Sequence, residues 1–279
     1  MGNKTQNLLV LARRAKENGD NGTAAQYYQQ LLLEEPDFWE AIFYSDFCTA
    51  ADCVILEIGP SAKRIANAFV STFNVVCKNY NSEQRDAILH SLADESIALL
   101  TTLSTAALEY YKQNMFKVDG ANKEFNARAY ECGMAICVIG DCFYNISDKR
   151  VAAICYKKAP DLWQGLYELN DIAIERIKEY DPEYNIGTSK RGCYVATCVY
   201  GSYDCPQVWT LRRYRDNILA KTWYGRAFIH TYYAISPTLV KWFGNTTWFK
   251  KMWQGKLDRM VADLREQGIE STPYEDKNW

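Results

Sequence analysis

The run Asn18-Gly19-Asp20-Asn21-Gly22 separates two apolar patterns of helical period and forces the chain to fold back on itself. Before it, Leu8, Leu11, Ala12 and Ala15 recur at helical spacing; after it, Ala24, Tyr28 and Leu31 share one face of a second segment at 23–35. Glycine ends a helix by taking the left-handed turn that a side chain resists, and Asn or Asp caps the next helix by accepting from its free N–H groups. Pro36 then stops the second segment, because it has no N–H and its ring collides with the turn before it. The pattern predicts a hairpin of two helices.

Phe38, Trp39, Ile42, Phe43 and Phe47 start another helix, and the periodicity predicts further helices near 60–79, 83–113, 123–144 and 148–180. Asn81 is placed to cap the second of these, with Gln84 as its partner, and Ile88, Leu92, Leu99, Leu103 and Leu108 supply its apolar stripe. His90 is expected on a helix surface, 145–148 as a turn, and Pro160 in the first turn of a helix. The stretch 181–192 holds Pro, Gly and Ser without periodicity and reads as a linker between domains at 1–185 and 193–279. The spacing from Leu11 to Pro36 resembles one tetratricopeptide repeat, a 34-residue helix-turn-helix unit. The fold class expected is therefore all-α: repeat-like helical hairpins followed by a compact C-terminal helical module.

Composition bounds the function. The net charge of −2 conceals an asymmetry, since residues 190–279 carry 14 Lys and Arg against 8 Asp and Glu while the rest carries 18 against 26. The two parts can attract each other or partners of opposite sign. In the first part, Glu17, Asp20, Glu34, Glu35 and Glu40 could receive a basic peptide on a concave face. Ten cysteines in a chain this long, mostly among apolar residues, point to free thiols in a reducing cytoplasm rather than to a disulfide framework. The opening Met-Gly-Asn-Lys-Thr-Gln leaves the myristoylation pattern incomplete, and no leader or anchor is expected. No apolar run reaches the roughly 18 residues of a membrane span.

From Cys193 the character changes: 15 aromatic residues fall in the 61 residues of 193–253, interleaved with basic ones. The order Cys193-Tyr-Val-Ala-Thr, Gly201-Ser202, Leu211-Arg212-Arg213-Tyr214-Arg215-Asp216, Gly225-Arg226, Tyr232-Tyr233 and Ser236-Pro237 resembles the bacterial C-terminal module called the CFI-box. That resemblance carries no established activity, and it carries over Cys193 alone as a signature cysteine. Cys198 and His230 depart from the family pattern. Residues 194–200 read equally as a strand or a helical turn; Ser202 or Asp204 is placed to cap the helix that Pro206 enters, and Ser236-Pro237 to break a later one.

Arg212 and Asp216 sit at i,i+4, as do Arg213 and Asn217, so one acid neutralises only part of the cluster. Arg212, Arg213, Arg215 and Arg226, with Trp209, Trp248 and Trp253, are therefore the candidate binding residues, Trp and Arg being enriched where partners dock. The partners expected are a protein or peptide, including a second copy, and no cofactor or metal. Nucleic acid fits poorly with a pI near 5.8, and the acidic tail Glu270, Glu275 and Asp276 counts against an anionic membrane surface. The enzymatic alternative makes Cys193 a nucleophile, its thiol acidified by Lys190, Arg191 and a helix start at Gly192, with His230 as base. A zinc site at Cys193, Cys198, Cys205 and His230 lacks the short knuckle spacing of structural sites. No phosphate loop, serine elbow or dense carboxylate pair appears. Protein association is the function expected.

Overall fold

The computed structural model describes residues 2–118, 120–163, 169–184, 193–244 and 246–277. Among them the chain is all-α, with twelve α-helices and no strand. It divides into two compact units. The first comprises Met1–Ala107, Ala127–Leu162 and Leu169–Tyr184; the second, Leu108–Asn126, Trp163–Glu168 and Asn185–Trp279. The C-terminal unit thus takes in 108–126, the end of one helix and the start of the next, as well as the chain after the expected linker. Of that linker, 185–192 lies outside the described residues, and with it Lys190, Arg191 and Gly192.

In the first unit, α1 (Asn3–Glu17), α2 (Asn21–Glu34), α3 (Trp39–Ala51) and α4 (Ile58–Asn79) each pack against the next. Gly19 takes the left-handed turn at φ 76°, and the Asp20 carboxylate accepts from the Thr23 N–H at 3.1 Å. Ala12, Ala24, Tyr28 and Leu31 lose all contact with solvent, so the small residues do bring the two helices together. Farther in, the rings of Phe43, Phe69 on α4 and Phe143 on α6 (Ala121–Asn145) form a chain with centroid separations of 6.5 and 6.1 Å. Each fully buried ring contributes about 1.5–3 kcal/mol relative to exposure.

Asn81 caps α5 (Ser82–Tyr110), accepting from the Gln84 N–H at 2.9 Å; a π-helical turn, Tyr111–Met115, follows it. His90 lies part-exposed on α5, its Nε2 2.8 Å from an Asp148 carboxylate oxygen and its ring 5.3 Å from that of Phe143. The expected 148–180 helix is two, α7 (Lys149–Leu162) and α8 (Asp171–Tyr180), with Asn170 capping the second through the Ala173 N–H at 2.8 Å. Pro160 occupies the last turn of α7, not a first turn. There it deletes a single hydrogen bond just before the helix ends, which limits its cost.

In the second unit, α9 (Tyr194–Tyr200) packs against α10 (Pro206–Asn217), α11 (Trp223–Phe243) and α12 (Thr247–Glu266). Residues 194–200 are thus helical. Gly201, at φ 69°, ends α9 by donating its N–H to the Thr197 carbonyl at 2.8 Å. Asn122 donates to the Tyr200 carbonyl at 3.2 Å, so the 108–126 segment satisfies a carbonyl that the end of α9 leaves open. The core comprises Cys193, Ala196, Tyr203, Cys205, Val208, Leu211, Val261 and Leu264. Thr222 and Thr246 cap α11 and α12. The expected break at Ser236-Pro237 is absent: α11 runs through it. Ile229 and Ser236 on its packed face are both 2% exposed. Among the described residues no helix is long and apolar enough to cross a membrane.

Candidate functional site

The motifs of the C-terminal unit converge on one partly buried polar cluster. Cys193, Arg212, Arg215, Asp216, Tyr232, Tyr233 and Asp276 come together although 83 positions separate the first from the last. Tyr232 Oη accepts from the Val195 N–H at 3.1 Å, fixing the start of α9 to α11. Arg215 donates to Tyr233 Oη at 2.8 Å, to both Asp216 carboxylate oxygens at 2.5 and 3.0 Å, and to Asp276 Oδ1 at 2.7 Å. Arg212, 4% exposed, gives its Nε to the same Asp276 oxygen at 2.8 Å and one terminal nitrogen to Asp204 Oδ1 at 2.9 Å. Its guanidinium stacks on the Tyr203 ring at 4.0 Å.

Asp276 accepts from Tyr203 as well. Burial would raise the Asp276 carboxyl, but the Tyr203 hydroxyl and the two guanidiniums outweigh it and hold the group below the usual carboxylate range. Burial likewise works against the charge on Arg215; the Asp216 hydrogen bond and neighbouring negative groups more than offset it, and its pKa is raised.

The arginines are therefore turned inward onto the C-terminal tail. Arg213 completes the clasp: it donates to the carbonyls of Glu270, Thr272 and Pro273 at 3.2, 2.6 and 3.1 Å and lies 4.7 Å from the Tyr274 ring centroid. Arg212 takes Asp204 and Asp276 rather than Asp216, which its neighbour Arg215 occupies. Asp204 caps no helix; it accepts from Trp209 Nε1 at 3.0 Å and stands 3.2 Å from Lys112 Nζ. Trp209 has no exposed surface and packs near the rings of Tyr111 and Phe116, at 6.4 and 5.7 Å.

Cys193 is 8% exposed, and burial pushes its thiol up to about 11 even though Arg215 and Arg212 pull the other way. His230 is exposed on α11, one turn before Tyr233. Cys198 and Cys205 turn their thiols to the carbonyls of Gly244 and Ser202, and among the described residues no group of three or more His, Cys, Asp or Glu is placed to hold a metal. Arg226 is exposed, Trp248 is 64% exposed, and Trp253 is half-buried with its ring 6.2 Å from Phe249.

The first unit contains a cleft that charge counting did not single out. It measures about 250 Å³ and is lined by Arg13, Lys16 and Glu17 of α1, Tyr28 of α2, and Trp39, Glu40 and Tyr44 of α3. Glu40, 5% exposed, accepts Arg13 Nε at 2.7 Å and the Tyr28 hydroxyl at 3.2 Å. Lys16 bonds Glu95 at 2.8 Å and sits 3.6 Å from the Tyr44 ring centroid. Of the acids expected to face a basic peptide, Glu40 holds Arg13, Glu34 pairs with Lys4 and Asp20 caps α2. The recoverable signal was Arg13 and Lys16 one turn apart beside an aromatic run. No protein-family model, curated protein sequence or solved structure matches the chain.

Proposed function

We propose that the chain is a non-enzymatic association protein whose first unit receives a peptide segment of a protein partner in the cleft between α1, α2 and α3. The cleft is the observation that carries this reading. Its 250 Å³ falls below the roughly 300–1,000 Å³ of small-molecule sites, and suits one or two side chains of a peptide rather than a cofactor. Aromatic walls at Tyr28, Trp39 and Tyr44 are the chemistry of a docking point for a peptide that presents an apolar side chain. The tetratricopeptide-like spacing of the first hairpin and the CFI-box-like motifs further support an association role in a bacterial protein. Ten free cysteines support a reducing compartment, in keeping with a cytoplasmic setting.

Selection from a displayed random-peptide library tests the proposal. Peptides enriched on the full chain should share a recognisable motif and bind Trp39→Ala at least about tenfold more weakly, a loss of about 1.4 kcal/mol. Selection without enrichment, or enriched peptides indifferent to Trp39→Ala, would remove this reading.

A further inference from the structure

Seven residues line the cleft of the first unit, and five of them are already engaged within the chain. Arg13 gives its Nε and a terminal nitrogen to Glu40, the first at 2.7 Å, and Glu40 also accepts from the Tyr28 hydroxyl. Lys16 is held by Glu95 at 2.8 Å and rests 3.6 Å from the centroid of the Tyr44 ring, whose hydroxyl donates to Glu95 at 2.6 Å. The rings of Tyr28 and Tyr44 stack with centroids 5.5 Å apart. The other two are Glu17, which is exposed, and Trp39, which is half-buried. Neither side chain has a hydrogen bond, ion pair or ring contact among the described residues.

The charge placed at the cleft follows from these pairs. Its two cations, Arg13 and Lys16, are matched by two carboxylates, Glu40 and Glu95; Glu17 is a third acid with no cation. It is also the last residue of α1, and the C-terminal end of a helix is the negative end of its dipole, where a cation is favoured. Trp39 supplies the complementary surface, since an indole face attracts a cation within about 6 Å more strongly than a Tyr or Phe ring does. Lys16 displays the same chemistry within this cleft: a cation over a ring, with a carboxylate bonded to it. Trp39 and Glu17 repeat the ring and the carboxylate.

We infer that the peptide received by this cleft is a basic one, presenting an arginine or lysine whose head pairs with Glu17 and whose stem lies on Trp39. The inference rests on the docking role proposed above and specifies the partner for it. Arginine fits better than lysine, because a planar guanidinium stacks on an indole while it donates to a carboxylate. The aliphatic stem of either residue covers apolar surface while its charge stays at the rim, so one side chain meets both the aromatic wall and the acid.

The test runs the displayed random-peptide selection side by side on the wild-type chain and on Glu17→Lys. Glu17 is exposed and bonds to nothing described, so the variant keeps its fold, which circular dichroism checks. Wild type should enrich peptides with Arg or Lys at one fixed place in the motif, and Glu17→Lys should not. A synthetic copy of the most enriched peptide, with that residue replaced by a neutral analogue such as citrulline for arginine, should bind at least about tenfold more weakly. Glu17→Gln should weaken the parent peptide about fivefold, and 0.5 M salt should weaken it also. Glu175→Lys, exposed on α8 and outside the cleft, should bind as wild type does. Enriched peptides that depend on Trp39 but carry no basic residue, or carry an acidic one in its place, overturn the inference and leave the docking reading standing. The same basic motif selected by Glu17→Lys overturns it too. Peptides indifferent to Trp39→Ala remove both.

Discussion

Removing the Arg212 guanidinium tests whether the clasp around the C-terminal tail stabilises the second unit. Arg212→Ala deletes the hydrogen bonds to Asp276, Asp204 and the Tyr203 carbonyl at 2.8, 2.9 and 3.3 Å, and the stacking on Tyr203. Breaking a buried pair by removing one member costs about 3–5 kcal/mol, because the carboxylates left behind stay desolvated. Here neither acid is orphaned: Asp204 keeps Trp209 and Lys112, and Asp276 keeps Arg215 and Tyr203. The loss should therefore fall at the low end, about 3 kcal/mol, which lowers the urea midpoint by about 2 M at an m-value of roughly 1.5 kcal/mol/M. The assay is urea unfolding followed by tryptophan fluorescence and circular dichroism together. Arg226→Ala, at an exposed position, should stay within about 0.5 kcal/mol of wild type. A double-mutant cycle of Arg212→Ala with Asp276→Ala should return a coupling of at least about 1.5 kcal/mol. A loss under about 1 kcal/mol with no coupling would put Arg212 in the class of surface ion pairs and refute the clasp.

With its thiol near 11, Cys193 should hold about one part in ten thousand as thiolate at pH 7, so iodoacetamide should show no selective attack there in native protein. Rapid modification at that site, read by mass spectrometry, would reopen the thiol-nucleophile alternative. Acid should release the tail late: the folded-state carboxyl of Asp276 titrates below its unfolded value near 3.9, so its stabilisation is fully present above about pH 4 and disappears as pH falls through the lowered value. Protease sensitivity of residues 270–277 that rises already between pH 6 and 5 would contradict this. Gly140→Ala should cost about 1–3 kcal/mol, because a Cβ there would stand 3.1 Å from Cys155 and Tyr156 and 3.3 Å from the Ala152 carbonyl, where α6 and α7 touch; an unchanged melting temperature would mean that the helices can part freely.

Local physics was legible wherever one residue decides a local event. Gly19, Asp20 and Asn81 terminate or cap helices by chemistry that spans three or four residues, and the all-α class follows from apolar spacing alone. Proline misled in two ways. Pro160 and Pro237 remove an N–H wherever they stand, but whether a helix survives depends on its remaining packing, which the sequence does not display. Residues 194–200 were undecidable because seven positions fit either period, and the αL glycine at 201 that ends the helix also fits a strand end.

The arginine cluster shows why charge was harder to read than helicity. At i,i+4, Arg212 has one visible acid, and three arginines within four residues look underpaid in charge when only their own helix is counted. Their acids lie elsewhere: Asp204 precedes the helix, and Asp276 arrives from a tail 64 residues beyond Arg212. Once that distant acid is assigned, the apparent surplus of charge moves. It leaves α10, whose arginines are satisfied, and settles on 217–257, where no acid exists to satisfy anything. Dense clustering in the sequence therefore marks charge that the fold uses internally rather than charge left over for a partner.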